Sequence, residues 1–403
     1  MTDGSVQEPV GDLADDIAEA HVLVTAGAGG VGKTTTAAAL GLAGARAGRR
    51  TLVLTIDPAR RLAQAMGLEH LDDEPRQVDL DGTQLNDLDL DGANLGSSDP
   101  DGAPEGGELW AMMLDMQTTF DRLIERHATS RERADAIRAN RVYRTLSSNL
   151  SGTQEYMAME RLHELHDSGE WDLLIIDTPP TRSALDFLDA PRRMSSFLEG
   201  RLLQLLMRPG LAAGRGIGRV VGAGASAFMR VAGKVTGMDL LEDLGEFFRN
   251  FEGMYAGFKE RADQVIELLQ ESTSRFVIVA SPEPPPLREA HYFLDRLEQE
   301  GLHAAGIVIN RIRPEVPRDP SGAAIDRVVE AQPDDLSGEA VAGAVRLLDD
   351  VRNLAARQRR DVAAALYGVT VPTRVDVPLL GGDVHDLRGL ATIASTLSTG
   401  KPR

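Results

Sequence analysis

Short apolar runs alternate with longer stretches of helical pattern along most of the chain. Seven runs predict strands, and they are HVLVT (21–25), TLVLT (51–55), LWAMML (109–114), LLII (173–176), FVIVA (276–280), AGIVI (305–309) and residues 371–375. Most of these runs are continuously apolar, which is typical of parallel strands buried on both faces. The pattern therefore predicts an α/β fold, with a mostly parallel, doubly wound sheet and helices on both faces.

Two segments interrupt the expected domain, which spans residues 21–395 between a tail at 1–20 and a second tail at 396–403. Residues 71–107 contain eleven acidic residues, one arginine and six glycines, which predicts a solvated loop. Residues 190–270 are expected to form a helical insert. Their first part, 190–238, has eight basic residues against one acidic residue, with nine glycines and four methionines.

Two interpretations of this basic insert remain open. The first is a set of short, glycine-rich helices that pack on the domain. The second is an adaptable apolar surface with basic edges, because methionine and glycine allow repacking around varied apolar partners. Arginine and lysine at the edges of such a surface suit an anionic membrane.

A glycine-rich loop joins the first predicted strand to an alanine-rich stretch. Its sequence, GAGGVGKT at 27–34, matches the pattern G-x-x-x-x-G-K-[ST]. The glycines of such a loop allow backbone N–H groups to point at one anion, beside the N-terminus of a helix. Lys33 then reaches the terminal phosphates of a nucleotide, and the Thr34 hydroxyl binds Mg²⁺. The order of strand, loop and helix favours this interpretation over an ordinary turn.

Two carboxylates follow buried strands, so we expect them at the same edge of the sheet as the loop. Asp177 follows LLII, as a Walker-B aspartate does, and we assign it to the hydrated Mg²⁺. Asp57 follows TLVLT, and we assign it to orientation of the attacking water, a role compatible with capping of the next helix. Asn310 directly follows the sixth run, and it is either a contact to adenine or a turn residue at the strand end.

Composition narrows the classes of partner. The chain has 403 residues with 43 Lys and Arg against 62 Asp and Glu, and the net charge of −19 disfavours nucleic acid. It contains no cysteine, which excludes disulfides, iron–sulfur clusters and thiolate metal sites. The sequence has neither a signal-peptide pattern nor a window apolar enough for a membrane span, so we expect a cytoplasmic protein.

Five motifs occur in a fixed order within residues 20–395, and they are AGGVGKTT, TIDPAR, IIDTPPT, ASPEPPPLREA and VIN. Their combination resembles the ArsA-type ATPases. That family includes arsenite-pump ATPases and ATPases that target tail-anchored membrane proteins, and it belongs to a larger group with ParA and MinD. The resemblance implies a dimer that binds ATP with Mg²⁺, hydrolyses it, and opens and closes with the reaction.

The resemblance also assigns roles by position. It implies that Asp57 polarises water, that Asn310 contacts adenine and that client-binding helices match 190–258. Lys33 is the second catalytic candidate, and Thr34 and Asp177 are the candidates for the metal. Pro282 and Glu283 are expected to approach a nucleotide near a dimer interface. The remaining nucleotide-binding candidates form the loop, and they are Gly27, Ala28, Gly29, Gly30, Val31, Gly32 and Thr35.

Three departures from the family pattern matter. The family's loop usually begins Lys-Gly-Gly with a lysine that reaches the partner's nucleotide, but this chain has Ala28 there. Loss of that cation predicts slow hydrolysis unless another residue or a related partner chain supplies the charge. Arg60, Arg61 and Arg182 are candidates by location. Ser183 also follows Arg182 where targeting ATPases commonly have Gly-His, and without cysteine no zinc clasp is expected.

Several functions agree with these motifs. The first is an ATP-driven switch, a homodimer or a heterodimer with a related chain, that handles hydrophobic membrane-protein helices or other membrane clients. The alternative is a positioning ATPase of the ParA/MinD type at a membrane surface, which would place the protein peripherally at the membrane. Arsenite efflux is disfavoured because no cysteine can bind As(III). An ATP-dependent ligase of the same fold is not excluded.

Overall fold

The computed structural model describes residues 11–57, 61–80, 106–141, 143, 153–178, 255–315, 338–369 and 371–400. The strands are β1 (Val22–Ala26), β2 (Thr51–Thr55), β3 (Arg76–Gln77), β4 (Leu109–Met113), β5 (Leu173–Asp177), β6 (Ser274–Ala280), β7 (His303–Ile312) and β8 (Arg374–Pro378). The helices are α1 (Ala14–Glu19), α2 (Lys33–Arg46), α3 (Arg61–Ala65), α4 (Met116–His127), α5 (Arg131–Ala139), α6 (Thr153–Asp167), α7 (Tyr255–Gln270), α8 (Pro284–Glu300), α9 (Gly338–Ala365) and α10 (Leu387–Thr399).

The strands of this described part form one eight-stranded sheet in the order β3-β4-β2-β5-β1-β6-β7-β8. The neighbouring pairs are parallel except β3 and β4, which are antiparallel. The predicted α/β fold with a mostly parallel sheet is confirmed, and each of the seven predicted strands is present close to its expected position. The sequence pattern missed β3 because two residues are too few for a periodic signal.

Helices cover both faces of the sheet, which explains why its central strands β1, β2 and β5 are buried along their whole length. On one face, α2 packs on β1, β2 and β5, α10 packs on α2 and β8, and α1 packs against both of these helices. On the other face lie α4, α6, α7 and α8. Since β1 lies between β5 and β6, the loop that follows β1 emerges near the middle of the carboxyl edge of the sheet.

Parts of the expected tails and loops are ordered elements. The expected N-terminal tail contains α1, and α10 extends through the expected C-terminal boundary to Thr399. In the expected solvated loop, Leu71, Asp73 and Val78 are buried, whereas residues 81–105 lie outside the described ranges. The helix α7 forms the end of the expected insert, and residues 190–254 also lie outside.

Among the helices of the described ranges, none has both the length and the apolar character required to cross a membrane.

Close contact between α2 and the sheet depends on glycine. A Cβ atom on Gly41 would lie 2.5 Å from Cγ2 of Val53 and 3.0 Å from Cδ1 of Leu109. A Cβ atom on Gly44 would lie 2.7 Å from Oγ1 of Thr51. Val53 and Thr51 are β-branched and cannot easily move away. The helix that begins at the glycine-rich loop therefore lies as near to β2 as its backbone allows.

Replacement of Gly41 by alanine should lower the free energy of unfolding by about 1–3 kcal/mol, because the added methyl group overpacks this contact. An alanine in a helix interior normally stabilises by about 1 kcal/mol relative to glycine. Gly343→Ala in α9 is the matched control, since its Cβ would meet nothing within 4 Å. Urea unfolding should show opposite signs for the two variants. Stabilisation by both would contradict this account of the α2 contact.

Candidate nucleotide-binding site

A cavity of about 1050 Å³ opens at the carboxyl edge of the sheet. Seven of the predicted site residues line it, and they are Gly30, Gly32, Lys33, Thr34, Thr35, Asp57 and Asn310. Asp177 is fully buried beside Thr34 and Thr55 and does not line the wall. The structure thus brings together candidates from the ends of β1, β2, β5 and β7, as the parallel topology requires.

The side chain of Lys33 folds back onto its own loop. Its Nζ donates hydrogen bonds to the carbonyl oxygens of Gly27 at 3.0 Å and Ala28 at 2.9 Å. Burial lowers the pKa of Lys33, and the negative charges of Asp177, Glu289 and Asp57 oppose this change. The ammonium group therefore lies among carbonyl dipoles and acidic side chains, at the point where phosphate oxygens would compete for it.

The end of β7 binds the other half of the loop. The side-chain amide of Asn310 donates to the carbonyl oxygen of Val31 at 2.8 Å. Nη2 of Arg311 donates to the carbonyl oxygen of Gly30 at 2.7 Å. Four loop carbonyls thus accept hydrogen bonds from side chains of this protein. Because the carbonyls turn toward these donors, the N–H groups of the loop are left to form an anion-binding nest.

Two glycines of the loop have no substitute at their positions. Gly27 has φ of 152°, and a Cβ there would lie 2.0 Å from the carbonyl oxygen of Val279. Gly32 has φ of 100°, and its Cβ would lie 2.2 Å from Nδ2 of Asn310. Gly32 is also the N-cap of α2 and has no side chain to cap it, so the N-terminus of this helix stays open to an anion.

Asp177 is a fully buried carboxylate whose hydrogen bonding is incomplete. Its Oδ2 accepts a hydrogen bond from Oγ1 of Thr55 at 2.8 Å, while its Oδ1 has no hydrogen-bond partner of full geometry in the described part of the chain. Burial raises the pKa of Asp177 to about 6, although the hydroxyls of Thr34 and Thr55 and the charge of Lys33 act to lower it. A buried carboxylate in this condition favours a cation.

Thr34 and Asp177 fit Mg²⁺ by their chemistry. A hydroxyl and a carboxylate are hard oxygen donors, and Mg²⁺ in phosphate sites uses one or two protein oxygens together with water and phosphate. The free Oδ1 of Asp177 is available for that purpose. No group of three or more His, Asp or Glu side chains with metal-binding geometry occurs among the described residues, so a site made by protein alone is not found there.

Asp57 lies on the cavity wall at the end of β2. Its backbone N–H donates to Oγ1 of Thr55 at 3.2 Å, and the same hydroxyl donates to Asp177. Thr55 therefore links the carboxylate of Asp177 to the backbone of Asp57. Sequence reasoning missed this residue, although a threonine that ends a buried apolar strand was a signal for it. The residues 58–60 that follow Asp57 lie outside the described ranges.

The structure does not bring Pro282 and Glu283 to the cavity. Pro282 is buried, and Glu283 is exposed as the N-cap of α8. Neither residue lines the cavity wall within this chain. Their assignment therefore remains a prediction about an interface with a second chain.

Sequence reasoning also missed a whole wall of the cavity. This wall is the segment after β8, and its residues are Leu379, Leu380, Gly381, Gly382, Asp383, Val384 and His385. The rule that ligands bind at the carboxyl ends of parallel strands could have pointed to it. Of the three arginines considered for the missing cation, Arg61 lines the cavity, whereas Arg60 and Arg182 lie outside the described residues. Arg311, which was not considered, also lines it.

Asp177→Asn should stabilise the protein at pH 8 in the absence of Mg²⁺ and nucleotide. The pKa of Asp177 in the folded protein, about 6, exceeds the ordinary value of 3.8. Ionisation of Asp177 therefore lowers the free energy of unfolding as the pH rises through this range. Removal of the buried charge should raise the free energy of unfolding at pH 8 by about 3 kcal/mol. Urea unfolding should show this gain shrinking as the pH falls from 6 toward 4.

The matched control is Asp57→Asn, which changes a carboxylate on the cavity wall and should leave unfolding nearly unchanged. Mg²⁺ with ADP should stabilise the unaltered protein and should fail to stabilise the Asp177 variant. A pH-independent difference between the Asp177 variant and the unaltered protein would contradict the assigned burial cost.

Comparison with known proteins agrees with this geometry. Residues 20–332 match the ArsA ATPase family, described as anion-transporting ATPase. The chain is 26% identical to ATPase GET3 of Malassezia globosa over 286 residues, 71% of each chain. It is 23% identical to putative arsenical pump-driving ATPase 1 of Aquifex aeolicus over 316 residues, which cover 73% of this chain and 64% of that relative. Putative arsenical pump-driving ATPase 2 of the same organism is 24% identical over 304 residues, 74% of this chain and 82% of the relative. The family match covers well over half of the sequence, and the chain therefore belongs to the ArsA family of anion-transporting ATPases.

Proposed function

We propose that this protein is an Mg-ATP-dependent ATPase that works as a dimeric switch on membrane clients. Membership of an ATPase family supports the activity at the family level. The observation that carries the proposal for this chain is the glycine-rich loop, whose carbonyls are hydrogen-bonded by Lys33, Asn310 and Arg311 beside the cavity. An adenine nucleotide would place its phosphates against the amides of this loop.

The residues of the chain divide the work as follows. Lys33 would exchange its two carbonyl contacts for phosphate oxygens, and the compact ammonium group suits this exchange because it is a point charge. Thr34 and Asp177 would hold Mg²⁺, which when bound neutralises charge on the phosphates. Asp57, from the wall of the cavity, would orient the attacking water and accept its proton.

We propose slow hydrolysis for a chain acting alone. Ala28 occupies the position at which the family usually has a lysine, and this alanine is buried, with its carbonyl oxygen bound to Lys33. A methyl group supplies no positive charge to developing phosphate charge, and electrostatic stabilisation is the main source of catalysis in phosphoryl transfer. A heterodimer with a related chain that carries the lysine is one way to restore the charge.

Lys33→Ala should weaken Mg-ATP affinity by at least about 100-fold or abolish hydrolysis, because it removes the cation at the terminal phosphates.

Asp57→Asn should retain binding and lower kcat by about 100-fold or more, since only water orientation is lost. Calorimetry and phosphate release measure the two quantities. Asp350→Asn is the matched control, because it removes an exposed carboxylate of α9 that does not line the cavity and should leave kcat unchanged. Unaltered turnover in Asp57→Asn would contradict the assigned role.

The proposed client is an apolar helix of a membrane protein. Support comes from the family and from the composition of 190–238, which has a surplus of basic residues and four methionines. The relatives named as arsenical pump-driving ATPases suggest a different client. The absence of cysteine argues against arsenite here, because As(III) then lacks thiolate ligands. We propose a cytoplasmic location consistent with either membrane role.

Photo-crosslinking of the full chain to a hydrophobic C-terminal helix should depend on ATP and should be lost in Lys33→Ala. Met207→Glu together with Met229→Glu should reduce crosslinking while leaving ATPase activity unchanged, because the charges oppose apolar contact in the insert. Flotation with anionic liposomes tests the alternative of a membrane-surface ATPase. ATP-dependent flotation without helix crosslinking would favour that alternative.

The composition of the dimer is tested by purification from the native source. Recovery with a related chain that carries a lysine at the Ala28 position would support the heterodimer. Recovery only as a homodimer would exclude it.

A further inference from the structure

Arg311 occupies an irregular position at the end of β7. The strand pairs with β8 at Ile309–Asp376 and again at Ile312–Pro378, so β7 has one extra residue between these two pairs. Within this bulge, Arg311 has φ of 62°, and it is the one non-glycine residue with positive φ in the described part of the chain. The left-handed region is unfavourable for a residue with a Cβ atom.

The bulge changes the direction of two adjacent side chains. Successive residues of a regular strand point to opposite faces of the sheet. Asn310 and Arg311 instead donate to Val31 and Gly30, two adjacent carbonyls of the glycine-rich loop, at 2.8 and 2.7 Å. Bulges commonly redirect a side chain next to a binding site. The extra residue therefore places a guanidinium group at the loop as well as an amide.

The hydrogen bond to Gly30 does not use the full capacity of Arg311. A guanidinium has five N–H donors. Within the described residues Arg311 makes this single hydrogen bond, its side chain is exposed, and it lines the cavity. An exposed hydrogen bond to a neutral carbonyl contributes little to stability. This contribution is no larger than the cost of a left-handed backbone conformation at a residue with a Cβ atom. The remaining donors belong to a side chain that lines the same cavity as the glycine-rich loop.

We propose that Arg311 is a phosphate-binding residue of this site, which stays anchored on Gly30 and donates its other N–H groups to a nucleoside di- or triphosphate in the same chain. It supplies positive charge beside a loop in which Ala28 supplies none. This inference rests on the function proposed above. Arg61, on the first turn of α3, also lines the cavity but has no hydrogen bond to the loop in the described structure.

The test compares Arg311→Lys, Arg311→Gln and the unaltered full-length protein. None of these residues is β-branched, and all three share the same cost of positive φ, so their folds should be equally stable. Lysine keeps the charge, whereas glutamine keeps only a neutral donor for Gly30. Calorimetry should show that Arg311→Gln weakens Mg-ATP and Mg-ADP binding by about tenfold or more, and that Arg311→Lys stays within about threefold of the unaltered protein.

A matched control and a salt series separate charge from loop positioning. Arg346→Gln removes an exposed arginine of α9 that does not line the cavity, and its affinity should be unchanged. The affinity of Arg311→Gln should depend less on ionic strength than that of the unaltered protein, because one charge interaction is absent.

Equal affinities of Arg311→Gln and the unaltered protein would overturn the proposal for Arg311 and leave the proposed ATPase function standing. Equal losses in the lysine and glutamine variants, with an unchanged dependence of affinity on ionic strength, would also overturn it, because they would indicate a role in loop geometry alone. If the unaltered protein binds neither Mg-ATP nor Mg-ADP, both the proposed function and this inference fail.

Discussion

In an anion site made of backbone N–H groups, the carbonyl oxygens of the same loop must point away from the anion and bind other donors. In this protein the side chain of Lys33 holds two of them, and two adjacent residues of β7 hold two more. The loop near the N-terminus thus depends on a bulge almost 280 positions later in the chain. The glycines of the loop serve the same purpose, since a side chain at Gly32 would occupy the place of the Asn310 amide.

A second constraint is the burial of Asp177. The carboxylate has one oxygen bound to Thr55 and the other without a partner of full geometry, in a place where burial raises its pKa. Such a group lowers the stability of the free protein and increases its preference for a cation. This cost falls at the site proposed for Mg²⁺, and Asp177 is the one charged residue of the described strands β1, β2 and β5. In the proposed site, stability of the free protein and affinity for Mg²⁺ would therefore depend on the same residue.

The position of α2 links these two features to the core. Gly41 and Gly44 allow the helix to lie close to β2 and β5, which brings its first residues, Lys33 and Thr34, to the carboxyl edge of the sheet. Asp177 ends β5, and Asp57 follows the end of β2 by two residues. The cavity is consequently formed by strand ends from separate parts of the sequence, and their distances are set by the packing of α2 on the sheet.

The sequence alone determined the fold class and the longer strands, because these depend on local patterns of apolar residues. It also located the glycine-rich loop between β1 and α2, because glycine recurs there at fixed spacing. It also indicated the carboxylates at strand ends, since parallel strands place those ends together. The sequence pattern did not predict the short strand β3. It also did not predict that the first part of the acidic segment packs on the domain, where Asp73 is buried and forms an ion pair with Arg122.

Only the tertiary structure decided which distant side chains reach the loop. Arg311 faces Gly30 because of a register shift between β7 and β8, and register depends on long-range pairing that local propensity does not encode. The wall formed after β8 and the connection of Asp57 to Asp177 through Thr55 have the same origin. Local pattern specifies which elements form, whereas packing across the sheet specifies which of their ends meet.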